Sequence, residues 1–476
     1  MTYFSESDIK QIESYGLTLS AIEQQLADFK SGFPPADIVS AATINDGVLA
    51  MLDRAYVEYY ELNKDKYNIV KFVPASGAAT RMFKDLFEFL GSGTMNKTTQ
   101  TVLDNLERFA FYDDLCKHLP ENPTPHDIIE CIITKRGLNY GNLPKALLQF
   151  HKYSKFNRTA LAEHLIEGAL YAESNKNINI HFTVSPEHKS GFDTLLNKIL
   201  PEYQEKFGVK YHITMSTQKP ETDTIAVNMD NTPFRNDDGT LLFRPAGHGA
   251  LIENLNDIDS DIIFIKNIDN ICPDDIRDDT TYHKKALAGM AMQIQSKIFN
   301  YIHAIDNGTA NISEIKSFIS DYLGLRLSDT TNVRDILNRP LRVCGIIKNT
   351  GEPGGGPFWV RAENGIGLQI VEPGQIAPEN IDILKKGEFF SPTDIVCMPR
   401  DINGKKFNLI EFVDSRAGFI SEKSKNGRAL RAMERPGLWN GAMAYWNTVF
   451  VETPLSTFTP VKVITDLLEN SHITNK

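Results

Sequence analysis

Asn68-Ile69-Val70-Lys71-Phe72-Val73-Pro74-Ala75-Ser76-Gly77-Ala78-Ala79-Thr80-Arg81-Met82-Phe83 is the stretch on which the fold turns. Asn68 to Pro74 is a short apolar run of the kind that forms a buried strand. Five small residues follow, Ala75 to Ala79, and Thr80-Arg81-Met82-Phe83 opens a helix pattern. The order is strand, tight turn, helix start. At such a turn the unpaired backbone N–H groups and the helix dipole favour an anion, and small side chains let a phosphate reach the backbone. The same small residues also suit plain close packing of a strand on a helix. The loop is neither a Walker A sequence nor a G-x-G-x-x-G fingerprint.

Upstream, from Ser5 to about Asn63, Ile9, Ile12, Leu17, Ile22, Leu26 and Phe29 recur at three- and four-residue steps, which predicts an N-terminal helical segment over residues 1–64. Downstream, residues 85–140 are charged and helix-like and close on the turn-rich Gly137-Leu138-Asn139-Tyr140-Gly141-Asn142, the pattern of a helical insertion. Ile178 to Val184, Lys210 to Met215 and Asp261 to Ile265 read as further strands, with helical stretches separating the first pair. Strands alternating with helices predict an α/β fold with a mainly parallel sheet and helices on both faces. After about Asp278 a helical stretch runs to Leu323. The core is expected over residues 65–420, with a smaller C-terminal region over 421–476. No repeat stands out.

The chain has 476 residues, enough for a large core, and a net charge of −11 that argues against an extended nucleic-acid or anionic-lipid face. A local basic pocket remains compatible with it. Cys116, Cys131, Cys272, Cys344 and Cys397 are widely spaced and form no C-x-x-C pair, which fits a reducing compartment. No stretch is apolar enough to span a bilayer and no signal pattern opens the chain, so a cytoplasmic location is expected, with neither membrane nor nucleic acid as partner.

A second segment, Leu143-Pro144-Lys145-Ala146-Leu147-Leu148-Gln149-Phe150, pairs proline with lysine before an apolar run. By itself it reads as a helix start with an exposed lysine. The 11 histidines form no H-E-x-x-H motif, and Ser185 and Ser190 lie in no nucleophile elbow. Zinc-enzyme and hydrolase chemistry therefore have no support.

Together, the segments Ala75 to Met82 and Pro144-Lys145-Ala146-Leu147-Leu148 resemble, in order, the A-G-G-x-G-T-R-M loop and the P-K-x-L-L stretch of sugar-phosphate nucleotidyltransferases. His181-Phe182-Thr183-Val184-Ser185-Pro186 resembles that family's next strand-loop-helix unit. Arg244-Pro245-Ala246-Gly247-His248-Gly249 resembles the P-G-G-H-G loop of UDP-sugar pyrophosphorylases, and Ile265-Lys266-Asn267-Ile268-Asp269-Asn270 their strand-ending V-D-N. Ser76 and Ala79 stand where the family usually carries glycine, and Arg81 and Lys145 are separated by the whole insertion, several times the family's usual gap. A positive φ at Ala79 would cost energy.

The resemblance implies a GT-A-like, Rossmann-related fold of the nucleotide-diphospho-sugar transferase type. It also implies a nucleotidyltransferase joining a nucleoside triphosphate, UTP favoured, to a sugar 1-phosphate with release of pyrophosphate. Ala75, Ser76, Gly77, Ala78, Ala79 and Thr80 would cradle the nucleotide phosphates. Arg81 and Lys145 would be the catalytic cations, Gly247, His248 and Gly249 would meet the base or sugar, and Asp269 would hold Mg²⁺. In open α/β sheets ligands gather at the carboxyl ends of strands, where Asp269 falls.

Several other features carry two readings each. Asp414, which ends Leu409-Ile410-Glu411-Phe412-Val413, either completes a metal site with Asp269 or is a turn residue. Lys348 is a second phosphate contact or a solvated lysine. Gly354-Gly355-Gly356 approaches a ligand or forms a flexible connection. The aromatic stretch Leu438 to Asn447 fills the core or an interface. Asp257-Ile258-Asp259 has the D-x-D spacing of a glycosyltransferase but lies in a polar segment. A glycosyltransferase and a non-catalytic nucleotide or sugar-phosphate binder are the alternatives.

Overall fold

The computed structural model describes residues 4–77, 79–328, 331–352, 354–362 and 365–474. Its centre is a ten-stranded sheet. In chain order the strands are β1 (Thr43–Ile44), β2 (Gly47–Leu49), β3 (Ile69–Pro74), β4 (Glu173–Ser174), β5 (Asn177–Thr183), β6 (Lys210–Ser216), β7 (Ile262–Ile265), β8 (Leu341–Lys348), β9 (Phe389–Met398) and β10 (Asn447–Glu452). Their order across the sheet is β1-β2-β10-β8-β9-β7-β3-β5-β4, with β6 also on β5.

The sheet is mixed, which corrects the expectation of a mainly parallel one. β9 runs antiparallel to both β7 and β8, and β4 antiparallel to β5; the other pairings are parallel. The cause is local. A parallel neighbour needs a crossover to the opposite edge, but the chain leaving β8 returns to β9 at the same edge, where Asn349 N–H donates to Glu388 O (2.8 Å). The intervening residues form a hairpin, Gly356–Ala362 with Gly365–Val371, that belongs to a separate four-stranded sheet with Ile38–Ala41 and Leu325–Leu327.

The N-terminal segment also departs from the helical expectation. Helices α1 (Glu6–Ser14) and α2 (Leu19–Ser31) form as the periodicity predicts, capped by Ser5 and Thr18. Gly32 (φ 71°) and Pro34-Pro35 then stop the helix. Residues 38–49 hold three short strands, and only after them does α3 (Arg54–Asn63) begin. Ile38-Val39 is β-branched, and the apolar face of this stretch is buried by strand pairing with Phe358–Val360 and with β10.

The insertion contains α4 (Lys84–Ser92), α5 (Lys97–Asp104), α6 (Tyr112–Cys116) and α7 (Pro125–Ile133), followed by α8 (Ala160–Tyr171) and α9 (Lys189–Phe207). Phe83, Leu86, Phe89, Phe111, Ile129 and Ile132 bind the insertion to α8, α9 and β5 in one apolar cluster. Further on, α10 (Leu251–Asn256) packs against Phe72, Ile263 and Ile265 on one face of the sheet, which the four-stranded sheet also covers through Trp359, Leu368 and Ile370. The long α11 (Arg277–Asp306) and α12 (Ile312–Tyr322) lie on the other face with α3 and α8. Strand β9 is buried along its whole length.

Lys71 breaks the apolar run of β3 and is fully buried on the α8 and α11 side. Its Nζ donates to Glu167 Oε2 and to His164 O, both at 3.0 Å, and Lys266 Nζ reaches Glu167 Oε1 at 2.7 Å. Lys284 pairs nearby with buried Asp394. Three lysines thus share two carboxylates out of contact with water. Burial pushes the Lys71 ammonium down to about 7, against the pull of Glu167.

Among the described residues no helix is long and apolar enough to cross a membrane. The cysteines are free thiols, with Cys116 exposed and the other four buried.

Candidate functional site

Strands β3, β5, β7, β8 and β10 point the same way, so Pro74, Thr183, Ile265, Lys348 and Glu452 end along one edge of the sheet. Three of the segments singled out in the sequence meet there. Ala75 N–H donates to Thr183 O (3.0 Å), and Ser185 Oγ donates to Ser76 O (2.7 Å), tying the small-residue loop to the end of β5. Gly77 is exposed, and a Cβ built on it would meet nothing within 4 Å. Packing therefore does not require glycine at this position, and the space above the backbone is open. Ala78 lies outside the described residues.

Ala79 opens a single 3₁₀ turn, Ala79–Arg81, and is not among the residues with positive φ, so the alanine is unstrained there. Its N–H donates to Leu143 O (3.0 Å). That bond closes the insertion: the chain leaves through α4 to α7, turns at Asn139 (φ 58°), and returns to place Pro144-Lys145 beside the loop. Thr80 and Arg81 are exposed, and the Arg81 guanidinium makes no hydrogen bond or ion pair with any described residue.

Lys145 Nζ donates to Asp269 Oδ2 (2.8 Å) and to Val461 O (2.6 Å). Lys462 Nζ reaches the same Asp269 oxygen at 3.0 Å. No motif in the sequence marked Lys462. It arrives because residues 453–464 cross this edge of the sheet: Thr453 N–H donates to Ile346 O (2.7 Å), Thr459 N–H to Asn270 Oδ1 (2.9 Å), Val461 N–H to Asp269 O (2.9 Å) and Ile464 N–H to Met82 O (3.3 Å). The Asp269 side chain is 11% exposed and that of Lys462 is 56% exposed, so the cluster is buried on one side and open on the other. Burial opposes the charged form of Asp269, but Lys145 and Lys462 outweigh it and hold the carboxyl below its usual range. Asp269 Oδ1 is buried with no hydrogen-bond partner.

The Gly247-His248-Gly249 loop is built differently. A Cβ on Gly247 (φ 74°) would lie 2.7 Å from Glu434 Oε2, and one on Gly249 would collide with the carbonyl oxygens of Arg435 and Pro436. These glycines admit the chain's own segment 434–438. His248 is occupied as well: its Nδ1 accepts from Leu438 N–H (3.0 Å), its ring stacks on Trp439 at 4.2 Å, and Nε2 lies 3.4 Å from Glu372 Oε1.

Asp269 and Asp414 share no partner. Asp414 accepts from its neighbour Arg416 (Nε, 3.0 Å) and caps the turn Ser415–Ala417, and among the described residues no group of three His, Cys, Asp or Glu side chains is arranged around a metal. The orphaned Asp269 Oδ1 is an oxygen that a hard cation would accept, but the two ammonium groups on Oδ2 repel one, and no second carboxylate joins. These residues do not fit Mg²⁺ as a site held by the protein alone. Asp257 and Asp259 are engaged by Lys219 and Arg400. Lys348 is exposed, and Gly354, Gly355 and Gly356 pack against Phe390, Ile370 and Phe389. In the aromatic stretch, Trp446 is buried in the core.

Fold and edge define a mixed α/β protein with a basic cluster at the strand ends. Its structure is similar to that of UDP-glucose pyrophosphorylase from Leishmania major solved with UDP-glucose (13% identity, TM-score 0.48, covering 98% of this chain and 78% of that one). It is also similar to that of uridine diphosphate N-acetylglucosamine pyrophosphorylase from Trypanosoma brucei solved with an inhibitor (11% identity, TM-score 0.48, 98% and 79%), and, over 70% of each chain, to the inositol-1-phosphate CTP transferase from T. maritima (11% identity, TM-score 0.26). The chain belongs to the family described as a domain of unknown function, DUF4301, whose model matches residues 5–473. No curated protein matches its sequence.

Proposed function

We propose that the chain is a nucleotidyltransferase that joins a nucleoside triphosphate, UTP favoured, to a sugar 1-phosphate and releases pyrophosphate. The observation that carries the reading is the pair Lys145 and Lys462 on buried Asp269, next to a loop whose Gly77 faces open space and whose Arg81 has no partner among the described residues. Such a place suits a triphosphate: two ammonium groups on one carboxylate, an unpaired arginine beside them, and small residues at the ends of parallel strands.

An oxygen of the sugar phosphate attacks the α-phosphorus in line, the new P–O bond forms, and the bond to the β-phosphate oxygen breaks so that pyrophosphate leaves with the electron pair. No proton transfer is required. The difficulty is the meeting of anions, and positioned cations lower it. Lys145 and Lys462 would neutralise the reacting phosphates, Asp269 would hold both ammonium groups in place, and Arg81 would turn onto the β- and γ-phosphates. Gly77 would let those phosphates approach the backbone.

The test is pyrophosphate release from each nucleoside triphosphate with a panel of sugar 1-phosphates in Mg²⁺-containing buffer. Release that depends on one sugar phosphate, and falls by roughly a hundredfold or more in Lys145→Ala and Lys462→Ala, is expected. Nucleotide binding with no release across the panel would replace the enzyme reading with that of a non-catalytic binder. Release of free nucleoside diphosphate from a UDP-sugar would replace it with a glycosyltransferase.

A further inference from the structure

A cavity of about 430 Å³ lies away from the Lys145 cluster, between the paired strands Gly356–Ala362 and Gly365–Val371, the segment Pro34–Asp37 and the turns at 414–417 and 440–445. Arg339 lies two residues before β8 and Tyr445 two before β10, so the cavity lies towards the amino ends of these strands, opposite the sheet edge that carries the proposed active site. Its size falls in the range of small-molecule pockets.

The charges lining it do not balance. Arg361 is opposed by Asp37 (3.4 Å) and Arg416 by Asp414 (3.0 Å), which leaves Arg339. Arg339 is half-buried and makes no hydrogen bond or ion pair with any described residue. Burial disfavours its charged form, with Asp335 and Tyr445 only partly opposing, yet a guanidinium does not give up its proton in a protein. One guanidinium charge on the lining, that of Arg339, is therefore uncompensated. The lining also includes Tyr445, Gln369 and Gly441, with Pro34 and Ile370 among its apolar residues.

We propose that this cavity is a binding site for a small phosphate monoester of about hexose-phosphate size, its phosphate on Arg339 and its hydroxyl-bearing body against Gln369 and Tyr445. A phosphate monoester carries nearly two negative charges at neutral pH, which the unpaired Arg339 guanidinium attracts, and its oxygens match the planar fork of arginine. The inference is independent of the nucleotide chemistry proposed for the opposite edge.

Calorimetric titration of the full chain with glucose 6-phosphate, inorganic phosphate, malonate and glucose tests it. Glucose 6-phosphate is expected to bind more tightly than the other three. Arg339→Gln should weaken that binding by about ten- to a hundredfold, as loss of a charge-assisted contact does, while Lys145→Ala leaves it unchanged. Without ligand, Arg339→Gln should keep or raise the Tm, because it removes an unpaired charge rather than a structural contact. Tyr445→Phe, which keeps the ring, should bind more weakly. No binding at millimolar glucose 6-phosphate, equal binding of malonate, undiminished binding in Arg339→Gln, or loss in Lys145→Ala would each overturn the proposal.

Discussion

Two loops of this chain carry glycines that a motif reading treats alike, and the structure treats them oppositely. At Gly77 an added Cβ would meet nothing within 4 Å, and the neighbouring Arg81 has no partner among the described residues. At Gly247 and Gly249 the space is filled by residues 434–438, and His248 is both stacked and hydrogen-bonded. Small residues permit close approach, but they do not say what approaches. In one loop the approach is left open; in the other the chain completes it with itself.

The largest effect should come from the closed loop. Gly249→Ala places a methyl group against two backbone carbonyls that cannot rotate away, and overpacking of this kind costs roughly 1–3 kcal/mol or more. Urea unfolding should register that loss. Stability within error of the parent would show that segment 434–438 yields and that the loop is not closed in solution.

A second effect belongs to β3, the strand beneath the open loop. Lys71 titrates near 7 in the folded chain and near 10.4 when unfolded, so between these values the folded chain binds fewer protons and stability rises with pH. Below pH 7 the penalty of burying the ammonium is present in full. Lys71→Met leaves Glu167 paired with Lys266 and removes the surplus charge. It should be neutral to about 1–4 kcal/mol more stable than the parent at pH 6, as replacement of buried ions by apolar groups often is. The gap should narrow towards pH 9. A gap independent of pH would mean that Lys71 keeps its proton throughout.

Smaller still is His248→Ala, which orphans the Leu438 N–H and removes the Trp439 stack. The expected cost is about 1–2 kcal/mol, with nucleotide affinity unchanged. If nucleotide affinity fell while stability held, His248 would belong to the ligand rather than to the closure.

The same contrast explains what could be read from the sequence. Strands β3, β5, β6 and β7 and the helices after Asp278 announce themselves because each is a local pattern, an apolar run or a period. The stretch 38–49 did not, since its pairing partners lie some 300 to 400 residues away, and the reversal of β9 is a matter of which edge the chain returns to. Lys145 was visible as a motif, and the Ala79 to Leu143 hydrogen bond accounts for its arrival across a long insertion. Lys462 was not visible. A lysine near the C-terminus has the composition of a solvated surface, and only the path of residues 453–464 makes it a neighbour of Asp269. Lys71 and Glu167 were hidden for the converse reason, as charges inside patterns that predict apolar burial.

The smallest change in stability is expected at Gly77, and it is the most telling. Its φ lies outside the left-handed region, so alanine can adopt the backbone, and no atom stands where the methyl would go. Replacing glycine at such a position restricts the unfolded chain and should stabilise the fold by about 0.4–1 kcal/mol. The same methyl would project into the space where a phosphate would meet the backbone. Gly77→Ala should therefore raise the urea midpoint slightly while weakening triphosphate binding, a combination that neither a packing glycine nor an indifferent surface glycine can give. Loss of stability would place an unseen neighbour above the loop, and unchanged nucleotide affinity would remove this loop from the site, leaving Lys145 and Lys462 to be explained by their ion pairs alone.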